Sequence, residues 1–246
     1  MRLNLADWDS VKSFAEQYKK SKLPIHILMN NAGIMAPPLF EMSKHAVELQ
    51  MAGNHLGHFY LTLLLMPIIE KTANANKNGT VRIVNLSSLA HWGTYWRGID
   101  FNNINNPRTY NAWLAYGQSK LANLLFSNQL QKRIEGRLGL QNVFVNAVHP
   151  GGVATNLAVG SAYIRHLYNA TFASFFILTS EQGSLTQLYC ATSEEIPRRG
   201  LKARYFVPTA SLATPSWHGR DERLAEELWD WSVATLEKKG FSVPSV

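Results

Sequence analysis

Three short aliphatic runs, Ile25 to Met29, Thr80 to Leu86 and Val143 to Val148, each stop at a polar or glycine-containing turn, and two long stretches of helical periodicity separate them. Runs this short, rich in aliphatic residues and bounded by turn signals, read as buried strands. The stretches between them, from about Ala46 to Ile69 and from Leu114 to about Arg133, are long enough to cross back over a sheet. Strands joined in this way pair in parallel, with helices covering both faces. The expected fold is α/β, a three-layer doubly wound parallel sheet in one domain over residues 1–246.

Further elements fit this frame. Asp7 or Asp9 can cap a first helix whose inner side is Val11, Phe14, Ala15 and Tyr18. Thr179 followed by Gln182 is a capping-box pattern opening a helix to about Thr192, and Ala203 to Val207 reads as a last strand. At 246 residues and 46% hydrophobic, the chain can bury one substantial core.

Composition excludes several classes. A single cysteine, Cys190, permits neither an intrachain disulfide nor a thiolate zinc cluster, and it suits a reducing, cytoplasmic setting; no metal site is expected. The opening residues lack the basic and apolar regions of a secretory signal. Phe59 to Ile69 and Phe172 to Leu178, the longest apolar runs, fall short of the roughly 20 residues that span a bilayer. The net charge of +7 suits a phosphate-bearing ligand. The basic group Arg198, Arg199, Lys202 and Arg204 has neither the zinc spacing nor the interleaved aromatics of nucleic-acid readout, so nucleic acid is not an expected partner.

Ligands of such sheets sit beyond the carboxyl ends of the strands. Three ends are polar or glycine-rich: Asn30-Asn31-Ala32-Gly33, Ser87-Ser88, and Pro150-Gly151-Gly152-Val153-Ala154-Thr155. In the second long helix Tyr116 and Lys120 lie four residues apart, on one face. An ammonium beside a phenol stabilises the phenolate, so the pair forms an acid/base device. Ser87 reads as a strand-end capping residue. His91 and His149 near Ser88 do not make a hydrolase, because no Gly-x-Ser-x-Gly elbow surrounds the serine.

Taken in order, Asn-Asn-Ala-Gly, Asn54, Ser-Ser, Tyr116-Gly-Gln-Ser-Lys120 and Pro-Gly-Gly-Val-Ala-Thr resemble the short-chain dehydrogenase/reductase family over nearly the whole chain. Asn-Leu-Ser-Ser-Leu-Ala-His and Tyr-Gly-Gln-Ser-Lys-Leu-Ala-Asn-Leu-Leu-Phe are closest to its retinol-dehydrogenase-like branch. The resemblance implies a Rossmann-like sheet and a catalytic tetrad of Asn54, Ser88, Tyr116 and Lys120. Tyr116 would exchange a proton with the substrate oxygen, Ser88 would hydrogen-bond that oxygen, Lys120 would lower the tyrosine pKa and bind the nicotinamide ribose, and Asn54 would hold a water in the proton relay. Asn31, Ala32 and Gly33 would line the adenosine side. Pro150, Gly151, Val153 and Thr155 would lie at the nicotinamide. The branch points to NADP as cofactor, with NAD left open.

The family opens with a strand and a Thr-Gly-x-x-x-Gly-x-Gly turn, which these 246 residues do not contain. Met1 is expected to enter near the end of the third strand, with Asn4 standing where the family has the aspartate that meets adenine. The sheet would then lack its first strands and the glycine-rich turn, cofactor affinity would fall, and the strand at Ile25 to Met29 would have an open edge. Two readings follow: an NADP(H)-dependent oxidoreductase interconverting a carbonyl and an alcohol, or a catalytically impaired fragment that associates with another chain. Residues 157–178, with Tyr163, Tyr168, Phe172, Phe175 and Phe176, fall at the family's substrate lid and imply a lipophilic substrate or peripheral membrane contact. Family habit suggests a homo-oligomer.

Overall fold

A computed structural model describes residues 1–153 and 177–246. Helix α1 (Trp8–Ser21) starts at Asp7, whose carboxylate accepts the Asp9 N–H, and ends at Lys22 in the left-handed conformation. It leads into β1 (Ile27–Asn30). A wide-turned π segment (Met51–Leu56) continues directly into α2 (Gly57–Ala75), followed by β2 (Val81–Leu86) and a short 3₁₀ turn (Leu89–Trp92). Helix α3 (Ala112–Arg137) opens at Asn111, whose side chain accepts from the N–H groups of Trp113 and Leu114. Then come β3 (Val143–Val148), β4 (Gly152–Val153), β5 (Ile177–Leu178), α4 (Ser180–Thr192), the single-turn α5 (Glu195–Arg198), β6 (Tyr205–Val207), β7 (Ser211–Ala213) and α6 (Glu222–Lys238).

The main sheet has the order β1-β2-β3-β6-β7, parallel except for β7, which returns antiparallel to β6; β4 and β5 form a separate parallel pair. Alternate residues of the central strands feed two cores, because successive side chains point to opposite faces. Val81, Ile83, Val143 and Val145 pack with α1, α2, α3 and α6, whereas Val84, Leu86, Phe144 and Val148 pack beneath α4. The fold is therefore a Rossmann-like α/β arrangement with helices on both sides of the sheet. Strand β1 lies at the sheet edge, as expected, and Ile27 there is 46% exposed.

Three elements differ from the sequence reading. The helix expected from Ala46 begins at Met51. Ala46 has φ +55°, a bridge joins Met42 to Glu48, and the buried Glu48 carboxylate then accepts the N–H groups of Gln50 and Met51 at 3.0 and 2.8 Å. The strand expected from Ala203 starts at Tyr205, since Ala203 itself has φ +50°. Helix α6 was not assigned from sequence, although Asp221 caps it and Leu224, Ala225, Leu228, Trp229, Ser232 and Leu236 form its buried side.

Candidate active site

The ends of β1 and β2 and the start of α3 converge through two close backbone contacts. A Cβ on Gly117 would stand 2.0 Å from the Gly93 carbonyl and 2.5 Å from that of Ala90, so only glycine lets α3 approach the turn that follows β2. A Cβ on Gly33 would meet Asn54 Oδ1 at 3.0 Å and Lys120 Nζ at 3.3 Å, which puts the turn after β1 against both side chains.

Asn54 is fully buried in the π segment. Its Oδ1 accepts the Ile34 N–H at 2.8 Å, and its Nδ2 donates to the Ile34 carbonyl and to Ser119 Oγ, both at 2.9 Å. Ser119 Oγ in turn donates to the Tyr116 carbonyl at 2.8 Å. The side-chain amide thus ties the turn after β1 to the first turns of α3. The π geometry belongs to this job, since such wide turns re-aim side chains within a helix.

The two serines divide their duties. Ser87 is buried and donates to the Lys120 carbonyl at 2.8 Å, holding strand to helix. Ser88, half-buried, caps the 3₁₀ turn through the Ala90 N–H at 3.2 Å, and its hydroxyl acts on the Tyr116 phenol to lower its pKa. Tyr116 is 7% exposed and Lys120 4%. The Lys120 ammonium sits 5.6 Å from the centroid of the Tyr116 ring and donates to the Leu86 carbonyl at 3.3 Å.

The electrostatics differ from the sequence expectation in one respect. Burial pushes the Tyr116 phenol up to about 12, against which the Ser88 interaction acts, and burial pulls Lys120 down to about 8. Desolvation therefore outweighs the lysine's help to the phenolate, because the ammonium lies beside the ring and is itself desolvated. A buried ammonium with three donors and one long bond to a carbonyl suits a ligand rich in hydroxyls, as the ribose of a dinucleotide is.

The remaining sequence candidates scatter more widely. Asn31 and Ala32 are exposed in the turn after β1. Pro150 and Gly151 follow β3, and Gly151 has φ +90°, with its Cα facing Leu178 and Pro208. Val153 ends β4, while Thr155 and the lid residues up to 176 lie outside the described residues. Asn4 is exposed and its hydrogen bonds are local, to Ala6 and Ser10, although its neighbour Leu5 packs on Gly57 at the start of α2.

A polar layer beneath the site escaped the sequence reading. Asn30 Nδ2 donates to Asn85 Oδ1 at 2.7 Å and to Thr62 Oγ1 at 2.9 Å; Asn85 donates to Ser127, and Asn123 to the Leu86 carbonyl. Its signal was present as amides and hydroxyls placed inside otherwise apolar runs. Among the described residues the one cluster of metal-ligand type, Asp7, Asp9 and His45, lies on α1 and the loop before α2, and Lys44 already pairs with both carboxylates.

Tyr116 and Lys120 thus stand together, buried, on α3 beside the carboxyl end of β2 in a Rossmann-like sheet. Comparison with known proteins agrees: the short chain dehydrogenase profile matches residues 1–97. The chain is 40% identical over 243 residues to a chloroplastic short-chain dehydrogenase, TIC 32 B, of Brassica napus, covering 96% of this chain and 72% of that protein. It is 37% identical over 235 residues to human retinol dehydrogenase 11, covering 96% and 68%. A crystal structure of an uncharacterised Mycobacterium paratuberculosis protein superposes with a TM-score of 0.71 at 32% identity, covering 99% of this chain and 76% of that one. The chain belongs to the short-chain dehydrogenase family, in its retinol-dehydrogenase-like part, and is an oxidoreductase by that membership. No helix among the described residues is long and apolar enough to cross a membrane.

Proposed function

We propose that this chain interconverts a carbonyl and an alcohol on a lipophilic small molecule with NADP(H), using Tyr116, Ser88, Lys120 and Asn54. The observation that carries the reading is the placing of Tyr116 beside the buried Lys120, one turn apart on α3, with Ser88 two residues past the carboxyl end of the parallel strand β2. The dinucleotide, when bound, supplies or accepts the hydride. Tyr116, whose high pKa keeps its proton in place, donates that proton to the substrate oxygen during reduction. Ser88 hydrogen-bonds the same oxygen and fixes its position. Lys120 holds the ribose hydroxyls, and the charge it retains favours phenolate once the proton has left. Asn54 fixes the turn of Asn31, Ala32 and Gly33, which would border the adenosine side. Pro150, Gly151, Val153 and Thr155 would border the nicotinamide. The preference for NADP and for a lipophilic substrate rests on the resemblance to the retinol-dehydrogenase-like branch.

The test is oxidation of NADPH or NADH by the purified chain in the presence of medium-chain aldehydes, with Tyr116→Phe beside it. General acid catalysis accounts for roughly 10²- to 10⁴-fold in rate, so Y116F is expected to lose at least a hundredfold in kcat/KM. Turnover that survives Y116F, or no turnover together with no thermal stabilisation by either dinucleotide, would overturn the reading.

A further inference from the structure

The chain has seven tryptophans, and four of them stand out in solvent: Trp92 at 58%, Trp96 at 94%, Trp113 at 49% and Trp217 at 80% exposed. They come from the stretch 92–98, the start of α3 and the Trp217 loop, which hydrogen bonds and one close packing contact hold together. The 3₁₀ turn carrying Trp92 is tied to the Trp217 loop by the Ser216 N–H, which donates to His91 Nε2 at 3.1 Å. The Trp96 loop reaches the same place, since a Cβ on Gly98 would stand 2.8 Å from the His218 ring. Tyr95 joins it to the start of α3, where its hydroxyl accepts the Asn111 N–H at 3.2 Å, two residues before Trp113.

These segments also carry the site. Ser88 caps the turn that ends at Trp92, and Tyr116 follows Trp113 by three residues, one turn along the same helix. Exposed arginines are interspersed with the rings: Arg97, Arg108 and Arg220, the last lying 5.3 Å from the Trp217 ring centroid. The neighbouring acids are engaged. Asp221 caps α6, Glu222 pairs with Lys132, and Asp100 holds the Asn103 amide.

Exposed apolar patches mark contact surfaces, and indole rings with arginines match the chemistry of the bilayer interface, where ring edges lie among headgroups and cations meet anionic lipid. We propose that this tryptophan-arginine rim docks the protein on an anionic membrane surface, with the mouth of the active site facing the lipid. The choice of a bilayer over a protein partner rests on the function proposed above, because a protein seated on the rim would close the site, whereas a membrane would deliver a lipophilic substrate to it. The net charge of +7 has the sign this requires.

Flotation of the full chain with vesicles tests the proposal, comparing phosphatidylcholine alone with phosphatidylcholine containing about a quarter phosphatidylserine. Binding to the mixed vesicles is expected, with a blue shift of the tryptophan fluorescence and a decline as salt rises. The double variant W96S/W217S is expected to bind roughly tenfold more weakly, and R97Q/R220Q to lose the preference for phosphatidylserine. Both sets of side chains are exposed, so an unchanged thermal midpoint will show that the variants fold. Failure of the wild type to bind either vesicle, or equal binding by W96S/W217S, overturns the proposal. So does a wild-type dimer that W96S/W217S splits into monomers, which would make the rim a contact between copies. Vesicle binding needs no turnover: binding by a chain that neither turns over nor is stabilised by either dinucleotide would sink the enzymatic reading and leave the docking surface standing.

Discussion

The Nδ1 of His58 donates to the main-chain carbonyl of Asn54 at 2.9 Å, across the junction between the π segment and α2. A carbonyl can only accept, so Nδ1 carries the hydrogen. Burial, aided by the charge on Lys120, pulls the imidazole down to about 4 and keeps it neutral. His58→Phe fills most of the volume and removes the donor. Its expected cost is about 1–3 kcal/mol, the penalty for an unpaired buried carbonyl, read from urea unfolding.

Three more histidines are held low by burial: His55, to about 3, His149, to about 4, and His91. Their folded pKa values lie below the unfolded value of 6.5, so the native state binds fewer protons than the unfolded chain. The stability linked to them is fully present above pH 6.5 and is lost as pH falls from there through about 4. Urea midpoints measured between neutrality and pH 4 should fall steadily, by several kcal/mol in total, on the order of 3 or more. A flat profile would mean that these rings are accessible to protons in the native state.

Gly117→Ala should damage the site through the backbone. The added methyl meets two carbonyl oxygens inside contact distance, so the start of α3 must move away from the turn after β2. A loss of about 1–3 kcal/mol is expected from the overpacking, together with a larger fall in activity than in stability, because Tyr116 moves with the helix and Ser88 does not.

The two serines make a paired experiment. Ser87→Ala leaves the Lys120 carbonyl without its buried donor and should cost about 1 kcal/mol of stability. Ser88→Ala should change stability by less than about 1 kcal/mol, the scale of a cap on a short turn, and should lower carbonyl reduction by far more. The opposite pattern would assign the proposed catalytic role to Ser87.

Asn54→Ala removes three hydrogen bonds at once and leaves the Ile34 N–H and carbonyl without their side-chain partner. Faster hydrogen exchange at the Ile34 amide, with a stability loss of about 1–3 kcal/mol, is the expected result.

Much of the architecture was legible because it rests on short-range rules. The strands at 81–86 and 143–148 announced themselves as apolar runs closed by turns, and the Thr179 capping box formed as written. Tyr116 and Lys120 were legible for the same reason, as a helix fixes residues four apart on one face. What the sequence concealed depends on tertiary contact. Within the π segment Asn54 finds its side-chain partners in the turn after β1 and in α3, and no local propensity encodes that. The late start of the same helix follows from Glu48, whose carboxylate usually signals a surface position and here is buried as a cap. The tyrosine's raised pKa was also hidden, because Tyr-Lys spacing reports proximity and says nothing of the water lost by both groups.

The wide turn at Met51–Leu56 has the effect of a phase shift. An α-helix rotates by about 100° per residue, so one surplus residue turns everything upstream of it by that angle relative to everything downstream. Downstream of the segment, Phe59, Leu63 and Ile69 keep the register that fills the core; within it, Asn54 reaches the turn after β1. Met51, Ala52 and Leu56 of the same segment fill the core beside Asn54. The surplus residue lets one continuous rod answer to two differently oriented neighbours.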